Sequence, residues 1–582
     1  MRKIRFIFFG VLYISMLSIT AQGTSTNTFI NETKVPYQEQ VYLKTNTSLG
    51  FVGEYLYYTL YNLKAKTGQL SGVSKIAYLK LVNENGNIVL NHKIKLNKGI
   101  GDSNFFIPSN IPSGNYKLVA YTQWMLNNGK GYFFSQDLTI INPYTSDQAV
   151  FRQAKLLENH DEYKGKGKAV TYGSIPLEMQ LDKNTYGIRD SIHLELISKG
   201  YQEGLGNYVI SVRRVNELKA PENLSVMDYQ TVYPSEQIVQ ELILPELRGE
   251  LISGKVSKTE DAGDKKEVLL AASFPGEDYL LKIVNTDDNG EFFVNVDKDY
   301  TAQDIYLQPL GGGESKYDIV FYPEKSLDFS QLNYHSFKLD KEMEPVIKER
   351  SIHNQIENAY YSSKPDTILL GNGNARFYGP DVKKYVLDEY TRFSTVKETF
   401  VEIVEHVWLQ ADKNGEMQFH VRPEDPYVDS GQLPLVIVDG ILVLDHGRLL
   451  NLPSNRINTI SISRNNHFYG TKTFQGVVDI TTFKNDYFEN YYTDNLFSQE
   501  LFKPNESKNY YRQSYQGAAR EKYDRLPDFR YQLLWLPKYQ ITQKVQEIDF
   551  YSSDIKGEFE VVVEGFTLSG KPVLLTSRFT IE

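Results

Sequence analysis

The chain has 582 residues and a formal net charge of −10, an acidic excess that excludes nucleic acid as a partner. Its 41% hydrophobic and 23% charged residues are an ordinary globular balance and exclude a disordered chain. It has no cysteine, which excludes disulfides, a thiolate nucleophile, a cysteine-based metal site and a lipid-modified cysteine.

In chain order, Met1 to Arg5 carry Arg2, Lys3 and Arg5, and an apolar run from Phe6 to Ile19 precedes Thr20, Ala21 and Gln22. This is the layout of a cleaved signal peptide over 1–21, the run being shorter than the roughly twenty residues that span a bilayer. No later stretch is long and apolar enough to span, so the chain is expected to be exported, with no transmembrane segment after cleavage.

Residues 40–143 read as a first β-sandwich. Leu56, Tyr58 and Leu60 alternate with Tyr55, Tyr57 and Thr59; Tyr78–Val82 and Ile88–Leu96 flank a turn with Asn85 and Gly86; Tyr116–Tyr121 and Tyr132–Ile141 follow. The 42 tyrosines and 31 phenylalanines suit such strands, with surface recognition as their second use. Residues 144–173, with KGKGK from Lys164 to Lys168, read as a solvated linker. A second sandwich is expected over 174–245, where Asn184, Thr185 and Asp190 precede Ile192, Leu194 and Leu196. That order echoes Asn46, Thr47, Glu54, Leu56, Tyr58 and Leu60 as a faint internal repeat.

Over 247–330 a third strand set comprises Gly254–Val256, Tyr279–Asn285 and Glu291–Val296. Asp287, Asp288, Asn289 and Gly290 form a plain hairpin turn, since the remaining ligand spacing of a calcium loop is missing. Gly311, Gly312 and Gly313 lack the lysine and helix of a phosphate loop and read as a linker. Helices are expected from Leu339 to Ser363 and from Tyr385 to Trp408, the second on the spacing of Phe400, Ile403 and Val407 among Glu398, Glu402 and Glu405. An α/β-like stretch follows: strand Leu435–Val438, a tight turn at Asp439 and Gly440, a strand to Val443, then Ile457–Ile462 and Gly476–Thr482. Residues 484–582 read as a linker and a C-terminal sandwich containing Glu558–Val563 and Val573–Ile581.

Several strings carry resemblances. GNYKLVAYTQWM from Gly114 and GYFFSQDLTI from Gly131 resemble the macroglobulin-like domains of large Gram-negative envelope proteins, over roughly residues 40 to 245. GKVSK from Gly254 with TDDNGEFFV from Thr286 resembles a carboxypeptidase-regulatory-like sandwich, a module without catalytic residues. PLVIVDGILV from Pro434, RINTISISR from Arg456, YG at Tyr469 and Gly470, and GVVDITT from Gly476 resemble the plug of TonB-dependent outer-membrane receptors. DFRYQLLWLP from Asp528 and the segment from Asp549 resemble the final sandwich of macroglobulin-like, plug-containing envelope proteins. The implied fold class is mainly β: tandem immunoglobulin- or macroglobulin-like β-sandwiches with one small α/β plug-like domain, the latter within 339–483 together with the helical segment. Asp439, Gly440, Tyr469, Gly470 and Gly476 are the plug-like motif, with a structural or interaction role. About a hundred residues follow Phe483, whereas a 22-strand barrel at roughly ten residues per strand needs about 220, so no barrel of that size is expected in this chain.

A protease-trapping macroglobulin needs a thioester cysteine, which this chain lacks. The nine histidines form no zinc-binding helix pair; His406 beside Glu405 and His446 beside Asp445 read as surface or edge-strand histidines. Neither a nucleophile elbow nor a carboxylate pair stands out, Glu402 with Glu405 and Asp287 with Asp288 reading as solvated faces and turns. No catalytic residue, cofactor or metal is therefore expected. The functional expectation is a non-catalytic protein of the periplasm or outer-membrane surface, an accessory or assembly partner of an outer-membrane β-barrel or other envelope protein. The alternative is a periplasmic or surface binding module for glycan or protein ligands.

Overall fold

The computed structural model describes residues 39–146, 148, 176–200, 202–218, 220–221, 224–227, 229, 242–258, 267–310, 317–369, 375–424, 431–469, 472–490 and 496–582. The expected signal peptide, the KGKGK run, Gly311–Gly313 and Gly470 lie outside the described residues.

The first sandwich packs a three-stranded sheet, Glu39–Thr45, Tyr55–Lys64 and Ile100–Phe106, on a five-stranded one in the order Leu49–Phe51, Phe134–Ile141, Gly114–Tyr121, Ile76–Asn83, Ile88–Lys95. Alternation assigns Val41, Leu43, Leu56, Tyr58 and Leu60 to the core between the sheets. The opposite face of the smaller sheet is buried as well, because a second sandwich covers it: Tyr42 and Tyr61 pack on Phe566, and Tyr57 packs on Trp535. This double coverage explains why every residue of Glu39–Thr45 is buried and why Tyr42 and Tyr61 are core residues.

The second sandwich joins two parts of the chain that the sequence pattern suggests are separate. Its larger sheet runs Thr185–Tyr186, Pro572–Ile581, Gly557–Thr567, Gly206–Arg214, Gln532–Ile541, and its smaller one Val545–Tyr551, Ser191–Ser198, Leu177–Leu181. Strand Gly206–Arg214 pairs on one side with Gly557–Thr567 (Ile210 opposite Val563) and on the other with Gln532–Ile541 (Ile210 opposite Leu536). Ile192, Leu194 and Leu196 share one core with Val561, Val563 and Phe579. The boundaries 174–245 and 484–582 are therefore corrected to one discontinuous sandwich. Neither part has enough strands to cover its own apolar face.

Everything between Arg214 and Gln532 is an insertion. Its small sandwich pairs Glu291–Val296, Glu250–Lys258 and Tyr317–Phe321 in one sheet, and Leu280–Asn285, Leu269–Phe274, Asp304–Pro309 and Phe497–Glu500 in the other. Its last strand thus also comes from the segment expected as a linker. An α/β module follows within this insertion, a five-stranded sheet in the order Lys383–Val386, Ile457–Tyr469, Lys472–Thr482, Leu435–Val438, Ile441–Leu442. Three of the hairpins in the molecule share one turn chemistry. Asn83, Asp287 and Asp412 each accept two backbone N–H groups of the following turn through their side-chain oxygen, and Gly86, Gly290 and Gly415 supply the positive φ.

Of the two expected helices, the first forms as Glu344–Ala359. The second is corrected to the short helix Val396–Glu402, opened by a Thr395–Glu398 capping box. His406 adopts a φ of 65°, and Val407–Ala411 then pairs with Met417–Val421. Val407 thus follows the helical spacing of Phe400 and Ile403 but sits in a strand.

Helix Glu344–Ala359 is pinned to both large sandwiches by buried charge. Arg350 donates to both Glu54 carboxylate oxygens, Nε at 2.6 Å and Nη2 at 2.8 Å, while Asn354 and Arg213 donate to the same carboxylate. Burial alone would raise the Glu54 carboxyl, but the Arg350 guanidinium holds it down at about 2. No helix of the described residues is long and apolar enough to cross a membrane.

Two outcomes follow. A chain ending before Gln532 should lose hydrogen-exchange protection in Leu177–Leu181 and Gly206–Arg214 while Glu250–Lys258 keeps it; protection retained in Gly206–Arg214 would contradict the shared sheet. Arg350→Met, which leaves the buried Glu54 with only Asn354 and the longer contact to Arg213, should cost up to about 3–5 kcal/mol in urea denaturation at neutral pH. Because Glu54 is depressed, the pair's contribution is present above the ordinary carboxylate value of 4.5 and is lost as pH falls toward about 2, so the deficit should narrow in acid.

Candidate functional site

The α/β module carries the plug-like motif, and the strand Leu435–Val438 shows how the motif is built in. All four residues are buried: Val436 and Val438 face a core with Phe400, Phe419 and Leu449, while Leu435 and Ile437 face the small sandwich through Ala271, Tyr279 and Leu281. The strand turns back at Asp439 (φ 49°) and Gly440 (φ 89°), a two-residue hairpin loop with both φ positive. The Asp439 carboxylate accepts from Thr482 N at 2.7 Å, Thr482 Oγ1 at 2.6 Å and Tyr487 N at 3.1 Å. A Cβ on Gly440 would stand 2.4 Å from Tyr279 Cβ, so the two units touch closely at this turn. Gly476 (φ 84°) lies opposite a register shift between Ser463 and Asn466, the mark of a bulge. Tyr469 packs near Phe377 and Phe474, and burial pushes its hydroxyl up to about 12. Asp439 and Gly440 are thus structural in the turn, whereas Tyr469 and Gly476 lie on the long hairpin; the four do not converge on one point.

The charged cluster of the module lies elsewhere, on the sheet face shared with the small sandwich. Across three paired strands Lys384 stands opposite Ser461 and Ser461 opposite Asp479. Beside them, Thr459 and Thr481 are hydrogen-bonded at 2.6 Å. These residues floor a cleft of about 680 Å³, walled by Arg376 and Tyr378, by Glu277 of the small sandwich, and by Phe483. Asp479 is 3% exposed. Its Oδ2 accepts from Tyr378 at 2.6 Å and Tyr279 at 2.9 Å, with Arg376 Nε 3.8 Å away. Asp479 Oδ1 and Arg376 Nη1 are buried with no hydrogen-bond partner among the described residues. The guanidinium stacks on the Tyr279 ring at 4.1 Å. Burial raises the Asp479 carboxyl, against the pull of Arg376 and the two tyrosine hydroxyls. The one signal for this site in the sequence is an acidic residue inside the apolar run Val477, Val478, Ile480.

The same sheet also extends a hairpin beyond its neighbours. Its outer end pairs Asn466–Tyr469 with Lys472–Gln475, and no other described strand flanks it. Phe377 packs against His467 and Tyr469, while Phe468 is 72% exposed.

The histidines need one correction. His446 is buried rather than superficial, and its Nδ1 accepts from Phe419 N at 3.1 Å; burial lowers it to about 4, leaving a neutral acceptor. The Asp287–Gly290 loop is a hairpin turn. Among the described residues no three His, Asp or Glu side chains converge as a metal site requires.

The sequence matches no known protein family and no curated protein. Among solved structures, the chain aligns with Salmonella alpha-2-macroglobulin reacted with methylamine at 9% identity and a TM-score of 0.23, over 94% of this chain and 40% of that one. It aligns with Escherichia coli alpha-2-macroglobulin activated by porcine elastase at 8% identity and 0.23, over 94% and 44%. A third alignment, with the Escherichia coli adhesin FdeC, is at 12% identity and 0.14, over 47% and 60%. The chain spans less than half the length of those macroglobulins, and at these TM-scores the likeness carries no further argument. The fold itself is mainly β, a series of packed β-sandwiches with one α/β module.

Gly440→Ala should cost roughly 1–3 kcal/mol from backbone strain, plus the clash with Tyr279, and should loosen Leu280–Asn285 in hydrogen exchange. Gly415, also at positive φ but with open space around a Cβ, is the control. Gly415→Ala should lower the urea midpoint less; equal losses would deny the close contact at Gly440.

Proposed function

We propose that this chain is a non-catalytic cell-envelope protein that acts as an accessory or assembly partner of an outer-membrane β-barrel, docking through the outer end of the α/β hairpin. The observation that carries this reading is the outer end of that hairpin, Asn466–Tyr469 against Lys472–Gln475, which no other described strand flanks and on which Phe468 is exposed. Strand edges without neighbours are templates for pairing with another chain, and an exposed ring beside them supplies the apolar anchor such interfaces use. The plug-like sequence of the module adds to this, as does the use of the residues after Phe483 to complete the sandwiches that hold it. An exported periplasmic or outer-membrane location belongs to the same proposal.

The test is affinity capture of the tagged protein from its detergent-solubilised native envelope, with a photo-crosslinking residue in place of Phe468. A stoichiometric barrel protein crosslinked at that position, and at least about tenfold less of it captured by Phe468→Ser, is the expected result. Recovery of the chain alone would overturn the accessory reading.

A further inference from the structure

We propose that the cleft between Arg376, Asp479 and Phe483 is a binding site for an uncharged saccharide. The proposal goes beyond barrel docking and rests only on the α/β module being a binding element.

Four observations point to this chemistry. First, two residues that line the cleft each keep an unused polar atom, the donor Arg376 Nη1 and the acceptor Asp479 Oδ1, both buried and unpartnered among the described residues. An unmade hydrogen bond at a buried charged group is costly, and a sugar hydroxyl, donor and acceptor at once, is a group that can pair with either. Both groups are already oriented, Asp479 by two tyrosine hydroxyls and Arg376 by stacking on Tyr279, so little ordering cost remains for the ligand.

Second, the charges lining the cleft balance. Arg376 and Lys384 stand against Glu277 and Asp479, so a phosphate or carboxylate ligand meets two acids and a cationic ligand meets two bases. A neutral polar ligand meets neither penalty. Third, the floor is a row of hydroxyls, Thr459, Ser461 and Thr481, carried by paired strands that offer a peptide no free edge at this place.

Fourth, the rim carries an aromatic plate. Phe483 is 50% exposed, and Arg392 stacks over its ring at 5.2 Å while hydrogen-bonded to the carbonyls of Ser454 and Ile457. A ring braced in this way presents an apolar surface to the C–H face of a pyranose, as aromatic plates do for other flat ligands. The cleft's volume of about 680 Å³ lies within the roughly 300–1,000 Å³ of small-molecule sites.

The experiment is isothermal titration calorimetry of the full mature protein with maltohexaose, cellohexaose and chitohexaose. Saturable binding of at least one is expected, weakened at least about tenfold by Phe483→Ala and by Asp479→Asn, and unchanged by Phe468→Ser. Phe483 is half-exposed, so Phe483→Ala should keep the wild-type thermal midpoint and carries the test should Asp479→Asn fold poorly. No saturable binding of any of the three up to about 10 mM, or binding that neither variant weakens, overturns the proposal. Barrel capture by Phe483→Ala is read separately, so a failed saccharide site and a failed docking surface give different results.

Discussion

The strand Gly206–Arg214 is the constraint on which the rest of the molecule depends. Both of its hydrogen-bonded neighbours come from the last fifty or so residues, through Gln532–Ile541 and Gly557–Thr567. Until those residues are in place, Ile210 and Val212 have no sheet to complete and no partner for their backbone groups. The long segment between is therefore held at both ends by one sandwich, which fixes where its own units emerge. Such non-local pairing is slow to form because chain closure precedes its reward.

Contacts between the units are polar as well as apolar, and three of the polar ones are buried. Glu54 joins the first sandwich to Arg350 of the helix and Arg213 of the second sandwich. Glu564 of the second sandwich meets Lys44 at 2.6 Å and accepts from Tyr42 and Val226 N. Lys93 of the first sandwich reaches Glu250 of the small sandwich at 2.5 Å, and Tyr300 donates to the same carboxylate. A buried ion pair adds little net stability against an apolar substitute, but an unmatched one is strongly penalised. These pairs therefore select one docking arrangement among the many that flat apolar sheet faces would tolerate.

That arrangement divides one face of the α/β sheet into two parts. Leu435, Ile437 and Val477 lie under the small sandwich, and Lys384, Ser461 and Thr481 are left to the cleft. Asp479 sits on the boundary, where Tyr279 of the small sandwich is the last covering residue and also a donor to the carboxylate. The cleft thus lies where two units meet, with Glu277 of the small sandwich on its wall. The outer hairpin end, by contrast, reaches past the sheet: Phe377 packs on His467 and Tyr469, and Lys472 touches the small sandwich at the Leu310 carbonyl.

What the sequence determined by itself was local. Alternation located strands such as Tyr55–Lys64 and Ser191–Ser198, though not Gly206–Arg214; the Asn85–Gly86 and Asp287–Gly290 turns were legible because polar turn residues and a glycine define such loops, and Asp439–Gly440 announced its hairpin. The mainly β class followed from these. Tertiary structure decided which strands share a sheet: Val209 meets Glu564, a pairing that no spacing or propensity encodes, since register between distant segments is set by matching apolar faces. It also decided the fate of Tyr385–Trp408, where the helical spacing of Phe400, Ile403 and Val407 yielded to strand pairing of Val407–Ala411 with Met417–Val421. The cleft was illegible for the same reason. Arg376, Tyr279 and Asp479 lie far apart in sequence, and only the docking of two units brings a guanidinium, a phenol and a carboxylate within contact distance.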